Sequence, residues 1–340
     1  MTFAIGIGIG TRNNHGEWLE VFYPSPLLHP TEDLARTVAT TLHHTGGNAA
    51  IEVSTEQMWQ LDVALQKNGH TLPWLATLSS SQQPLVVTLL ETDAQSTSVP
   101  EVYLKLHLLS HRLVKPHSIN LAGIFGLLPN VAWTNEGAID IRELPERQLA
   151  ARIAGRTLEV SSVDKFPKMA NYVVPTGVRV AHTARVRLGA YLGEGTTIMH
   201  EGFVNFNAGT EGPGMVEGRI SAGVFVGKGS DIGGGASTMG TLSGGNNVVI
   251  SLGEGCLLGA NAGVGIPLGD RCTVEAGLYL TAGSVITLID NAGNSAGTCK
   301  ARELAGKSDL LFRRNSKNGA MECLTNKSAI ELNEALHKHN

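Results

Sequence analysis

Glu217 stands in "GPGMVEGRIS", a carboxylate set between a glycine-rich stretch and an aliphatic run, two residues from the cation Arg219. A partly buried carboxylate beside a cation serves as a general base or a nucleophile, depending on where its pKa is set. It serves equally as an Arg-paired structural glutamate, and spacing alone leaves both readings open.

A second group is His200-Glu201 in "IMHEGFVNFNAG", whose side chains point into the fold, into a solvated turn, or toward a neighbouring subunit; Asn205 and Asn207 nearby favour a lined site. A third is "LLFRRNS", where Arg313 and Arg314 end an apolar run. Guanidinium groups bind phosphate bidentately, and Lys300 and Arg302 add positive charge, although a solvated basic turn has the same composition. The stretch "AIGIGIGTRN" at the N-terminus has G-x-G-x-G spacing with no helix opening after it. It reads as a strand rather than a dinucleotide-binding turn.

These groups need elements to hold them, and the sequence has a repeat that supplies them. Val180, Val186, Leu192, Ile198, Val204, Ile220, Val226, Ile232, Leu252, Leu258, Leu268, Val274 and Leu280 each open a hexad, and position five is small in 11 of the 13. A six-residue period suits a triangular β-helix: an aliphatic at position one fills the axis, and a small residue at position five lets the corner close. Glycine at position two (Gly193, Gly227, Gly233, Gly253, Gly259, Gly269) admits close backbone approach. Cys256 and Cys272 fall at position five and read as small core residues. The beat fails between Gly209 and Arg219, across "TLSGGNNVV" at 241–249, and in the four-residue step from Val264 to Leu268. Loops are expected to leave the coil there, carrying Glu217 with them.

Three regions follow: an α/β domain over 1–165, the β-helix over 166–290, and a cap over 291–340. Within the first, 31–46 and 99–114 read as helices and 84–91 as a strand. The last reads as a loop, an apolar strand turning at Asn318-Gly319, and a terminal helix. With 41 glycines, 5% aromatics and a formal charge of −4, the chain has no basic footprint for nucleic acid. No apolar run approaches a membrane span, no signal peptide opens the chain, and the four cysteines lack metal spacing, so a cytoplasmic protein is expected.

At "MHEGFVNFNAGT", "VEGRISAGVFVGKGSDIGGGAS" and "KARELAG…LLFRRNS" the chain resembles the tetrahydrodipicolinate N-succinyltransferase family, and "GIGTRN…WLEVFYP", "VDKFP" and "VRLGAYL" extend the likeness over nearly its whole length. The resemblance implies a mainly β protein, a left-handed parallel β-helix with an N-terminal α/β domain and a small C-terminal cap, assembled as a homotrimer. It implies succinyl transfer from succinyl-CoA to the amine of L-2-amino-6-oxopimelate. Glu217 falls on the acyl-accepting glutamate, and Gly240 is the candidate for the oxyanion. Cofactor contacts fall on Arg219, Gly234, Ser237, Ala260, Glu275, Ala276, Gly283, Lys300, Arg313, Arg314, Asn315 and Ser316. Glu201 falls on a ligand to a magnesium ion on the trimer axis, although His182, Thr183 and Ala184 stand where an acidic residue often precedes "RVRLG". Outward-facing Val224 and Phe225 would favour burial between copies. The alternative is another CoA-dependent hexapeptide acyltransferase that acetylates a sugar or an amino acid.

Overall fold

The computed structural model describes residues 2–240 and 249–325. It divides into two compact units. One comprises Met1–Val114, Ser118–Pro167 and Asn171–Val173, and the other comprises Lys115–His117, Lys168–Ala170 and the chain from Val174 onward.

In the first unit the strand Ala4–Arg12 lies inside an antiparallel sheet, between Trp18–Phe22 and Leu85–Leu90, with Ala49–Val53 beyond. Period-two alternation explains "AIGIGIG". Ile5 and Ile7 enter a core shared with Leu34 and Val38 of the helix Glu32–Thr41 and Met58, Leu61 and Leu65 of the helix Thr55–Lys67. On the other face, a Cβ on Gly6 would lie 2.7 Å from the Tyr23 ring and 2.8 Å from Leu104, so glycine leaves room for both. Leu104 belongs to the helix Val99–Ser110, which is buried over nearly its whole length. A separate three-stranded sheet, Val131–Thr134, Gly137–Asp140 and Val160–Asp164, packs with the helix Leu144–Ile153.

The second unit is a parallel β-helix with three faces. One face stacks Thr196–Ile198, Gly214–Val216, Asp231–Ile232, Leu257–Leu258 and Thr273–Val274, and is called here the Ile198 face. The Val204 face stacks Phe203–Val204, Arg219–Ile220, Ser237–Thr238, Gly263–Gly265 and Tyr279–Thr281. The Leu192 face stacks Ala190–Leu192, Ala208–Thr210, Phe225–Val226 and Ser251–Leu252. The axis is filled by Leu192, Ile198, Val204, Ile220, Val226, Ile232, Leu258 and Val274, each buried, and each contributes roughly 1.5–3 kcal/mol by leaving water. The position-two glycines are forced by space: a Cβ on Gly233 would sit 2.5 Å from the Leu258 carbonyl, and one on Gly259 would sit 2.5 Å from the Ala276 nitrogen. Cys256 and Cys272 are buried free thiols, as their position predicts.

Two of the expected excursions are corrected. No loop leaves the coil between Gly209 and Arg219, because Ala208–Thr210 and Gly214–Val216 are strands of two successive faces. The beat is hidden because a threonine, Thr210, takes an axial place, with its hydroxyl satisfied by Thr196 at 2.7 Å. The irregularity narrows to one short step, Val216 to Ile220. Ala190 stacks on Ala208, 18 residues along, whereas Phe203 stacks on Arg219, only 16 along. The Val264–Leu268 step likewise stays on the coil, with Leu268 bridging to Leu252. The third excursion lies outside the described residues apart from Val249.

Beyond the coils the Ile198 sheet continues through Leu310–Arg314, Met321–Thr325, Val285–Ile289 and Ser295–Lys300. The expected loop around Lys300 is instead a strand end followed by the 3-10 turn Ala301–Leu304. The hairpin at Asn318-Gly319 is present, with Gly319 at φ +77°, and the expected terminal helix lies outside the described residues.

Candidate functional site

Five successive turns round the corner from the Ile198 face to the Val204 face. The first passes through His200-Glu201, the second through Glu217-Gly218, and the next three through Gly234-Gly235, Ala260-Asn261 and Ala276-Gly277. The second is two residues shorter than those flanking it, so the corner recedes there into a notch. Its walls are Glu201, Gly218, Gly235 and Ala236 from the turns, and Arg185, Phe203, Arg219 and Ser237 from the Val204 face.

Glu217 enters this corner directly after the axial Val216, its backbone N–H donating to the Ile232 carbonyl at 2.8 Å. Its side chain is half-buried and turns up toward the next coil, where a Cβ on Gly234 would stand 3.6 Å from its Oε2. Arg219 does not pair with it. The Arg219 guanidinium donates to Ser237 Oγ, at 2.6 Å from Nη2 and 3.2 Å from Nε. Among the described residues, the Glu217 carboxylate has no hydrogen-bond or ion-pair partner, so the Arg-paired structural reading does not hold.

Glu201 is differently placed. It is exposed, its Oε1 accepts from His200 Nδ1 at 2.6 Å, and its Oε2 pairs with Arg185. The hydrogen bond from His200, then the charge of Arg185, holds its carboxyl below the ordinary carboxylate value. His182 meets His200 edge-on at 5.1 Å. Among the described residues no three His, Cys, Asp or Glu side chains gather as a metal-binding set, and Ala184 offers no second carboxylate. Within one chain Glu201 is the one residue standing for the expected magnesium ligand, and its carboxylate is already engaged by His200 and Arg185.

Four of the twelve residues expected to contact the cofactor fall along one line. Gly234, Ala260, Ala276 and Arg314 follow the axial Ile232, Leu258, Val274 and Phe312 by two residues each, in consecutive coils of the same corner. At ~4.8 Å per coil, the four steps from Glu217 to Arg314 cover about 19 Å. Glu275 Oε2 accepts from the Arg314 backbone N–H at 2.6 Å, tying the top of this line to the cap. Arg313 Nε donates to Glu322 Oε2 at 2.9 Å, and Asn315 Nδ2 donates to Glu322 Oε1 at 2.7 Å. Ser316 is exposed in the adjoining turn. Gly283 and Lys300 flank the base of the hairpin formed by Val285–Ile289 and Ser295–Lys300, with Lys300 opposite Val285.

Gly240 is not on this line. It follows Ser237–Thr238 at the far edge of the Val204 face, where a Cβ would stand 3.0 Å from the Ala222 carbonyl. Within one chain, Glu217 and Gly240 occupy opposite edges of the same face. Val224, expected outside, is fully buried, and Phe225 packs edge-on against Tyr191 at 5.7 Å. Sequence reasoning missed Arg185, although the hexad register that makes Val186 axial turns Arg185 outward in the row below Phe203.

Family profiles described as the N-terminal and middle regions of tetrahydrodipicolinate N-succinyltransferase match residues 52–126 and 128–168, and one described as the hexapeptide repeat of succinyl-transferase matches 245–282. A 2,3,4,5-tetrahydropyridine-2,6-dicarboxylate N-succinyltransferase of Pseudomonas putida is 67% identical over 99% of this chain and 98% of its own, and one of Vibrio cholerae is 58% identical over 99% of each. The crystal structure of a putative 2,3,4,5-tetrahydropyridine-2-carboxylate N-succinyltransferase from Campylobacter jejuni superposes with a TM-score of 0.89 at 34% identity, over 97% of this chain and 93% of that one. A corner notch in a left-handed β-helix, with an N-terminal α/β domain before it and relatives this similar over their whole length, places the chain in the tetrahydrodipicolinate N-succinyltransferase family.

Proposed function

We propose that this enzyme moves a succinyl group from succinyl-CoA to the amine of L-2-amino-6-oxopimelate, the ring-opened form of tetrahydrodipicolinate, in diaminopimelate and lysine biosynthesis. The observation that carries the site assignment is the unpaired Glu217 carboxylate on a shortened turn, next in sequence to Gly218 of the notch wall and 3.6 Å from where a Cβ on Gly234 would stand, at the foot of a corner lined by glycine and alanine.

Lys300, Arg313 and Arg314 meet the phosphates of CoA, and Gly234, Ala260 and Ala276 leave the corner low enough for the pantetheine arm. This lays the thioester beside Glu217. A carboxylate with no internal cation to neutralise it is free to attack the thioester as a nucleophile or to take the proton from the substrate ammonium. Both paths develop negative charge on the thioester oxygen, which a backbone N–H at Gly240 would stabilise. Since one chain holds Glu217 and Gly240 at opposite edges of a face, the proposal includes a homotrimer in which a neighbouring copy brings the second edge to the first. The cytoplasm, where succinyl-CoA is made, is the proposed compartment.

The test is thiol release in the presence of the amine, with succinyl-CoA and acetyl-CoA compared. Turnover with succinyl-CoA at least tenfold faster supports the reading, and a preference for acetyl-CoA would replace it by the acetyltransferase alternative. Light scattering at micromolar concentration checks the assembly: a monomer mass would remove the neighbouring copy from the mechanism.

A further inference from the structure

A histidine from outside the repeat reaches the edge of the β-helix that carries Gly240. His117 belongs to the short segment Lys115–His117, which is part of the β-helical unit although some 60 residues precede the first coil. Lys115 Nζ donates to Glu211 at 2.8 Å and lies over the Phe225 ring. The His117 backbone N–H donates to Asn207 Oδ1 at 3.0 Å, and its Nε2 stands 2.5 Å from the Gly223 carbonyl oxygen. A carbonyl only accepts, so Nε2 carries the proton. Gly223 in turn donates its N–H to the Asn207 carbonyl at 3.0 Å.

The backbone is left-handed at all three partners: at Asn207 (φ +50°) and Gly223 (φ +82°) this repeats the coil corner seen at Gly189 (φ +94°) one coil below, whereas His117, outside the coils, has φ +67°. Left-handed conformation in non-glycine residues persists only where surrounding contacts impose it, and such positions cluster at functional sites. A Cβ on Gly223 would meet the His117 ring at 3.2 Å and would stand 3.9 Å from the Gly240 carbonyl oxygen, so ring and peptide flank one point. Gly240 itself rests on Ala222.

We propose that His117 is a positioning residue for the reaction: by holding the Ala222-Gly223 turn through Nε2–H, it fixes the level at which the Gly240 peptide is presented. This rests on the reading that Gly240 serves the oxyanion. A donor at Nε2 is present in both the neutral tautomer and the protonated ring, so the role involves no proton transfer.

Steady-state kinetics of the full chain with succinyl-CoA and the amine, for His117→Ala, His117→Gln and Gly240→Ala, test the inference. His117→Ala should lower kcat by about tenfold or more, since misplacement of a reacting group by about 1 Å costs up to about 10²-fold. KM for succinyl-CoA should stay near the wild-type value, because the cofactor line follows the other corner. His117→Gln retains an N–H of similar reach and should recover most of kcat with an unchanged pH profile. Wild-type kcat in His117→Ala, with Gly240→Ala impaired, overturns the His117 role alone. Wild-type kcat in both removes the Gly240 reading beneath it. Loss of one limb of the pH profile in His117→Gln would make the histidine a proton carrier, and a fall in kcat accompanied by an equal change in KM and a lower Tm would make it merely structural. Either result overturns the proposal.

Discussion

Arg219 reaches up one coil to the Ser237 hydroxyl at 2.6 Å and leaves the Glu217 carboxylate, two residues before it, without a counter-charge. The nearest cation in sequence is therefore not a neutralising partner, and the carboxylate oxygens are left unengaged by any side chain among the described residues. Glu217→Gln conserves volume and removes the charge, so kcat should fall by roughly 10²-fold or more with KM for succinyl-CoA little changed. Near-wild-type kcat would dismiss Glu217. Mass spectrometry of enzyme quenched with succinyl-CoA alone then separates the two paths, because only nucleophilic attack leaves a succinyl adduct on the Glu217 peptide.

Adjacent glycines of the same turn should respond differently. Gly233→Ala drives a methyl to 2.5 Å from the Leu258 carbonyl, a backbone atom that cannot yield, and should lower Tm by several degrees. Gly234→Ala meets only Glu217 Oε2, at 3.6 Å, and should fold normally while raising KM for succinyl-CoA about tenfold by narrowing the corner. Equal Tm losses in the two variants would show that the corner has no vacant track.

Arg313 and Arg314 carry different burdens. Arg314 donates to the Gly319 carbonyl at 3.0 Å from an exposed position, so Arg314→Ala should raise KM for succinyl-CoA with Tm unchanged. Arg313→Ala should also lower Tm, because it removes the counter-charge from the buried Glu322 and leaves it only the neutral Asn315 donor among the described side chains. The hydrogen bond from Asn315, then Arg313, holds the Glu322 carboxyl below its usual 4.5. A depressed carboxyl contributes stability above the unfolded value and loses it as pH falls through the folded one. The Tm deficit of Arg313→Ala should therefore be largest near neutrality and shrink below about pH 4.5. A deficit independent of pH would exclude the charge contact as its cause.

The Thr196–Thr210 pair provides a test of the buried repeat. Thr210→Val leaves the Thr196 hydroxyl unmatched in the axis and should cost about 1–3 kcal/mol in denaturant unfolding, whereas the double change to valine should cost less than the single one. Additive losses would mean that the two hydroxyls do not rely on one another.

These threonines also show where sequence reading stopped. Aliphatic spacing disclosed the β-helix because the axis accepts little but Val, Ile and Leu. It lost the beat at Thr210 because two hydroxyls facing each other behave as an apolar pair, a relation that only the 18-residue coil brings together. Glu217 is legible as a carboxylate at an irregularity, but the sequence does not distinguish an added loop from the shortened turn the structure has: an extra loop and a missing pair of residues disturb a six-residue rhythm alike. The expected cofactor contacts rest on resemblance, and the coil register explains why four of the twelve, Gly234, Ala260, Ala276 and Arg314, align. His117 left no trace, since nothing in "KPHSI" announces a contact with Gly223 more than a hundred residues later.

The corner from Glu217 to Arg314 behaves as a ruler with fixed graduations. Its divisions are set by backbone hydrogen bonds between coils, so no side-chain substitution can lengthen or shorten it by a fraction of a step. If the corner holds the donor as proposed, a longer or shorter arm could be matched only by gaining or losing a whole coil between the notch and the cap, 16 residues in the step from Leu258 to Val274. On that proposal the reach of the carrier is written in the number of coils, and acyl-group preference is left to the few side chains that wall the notch.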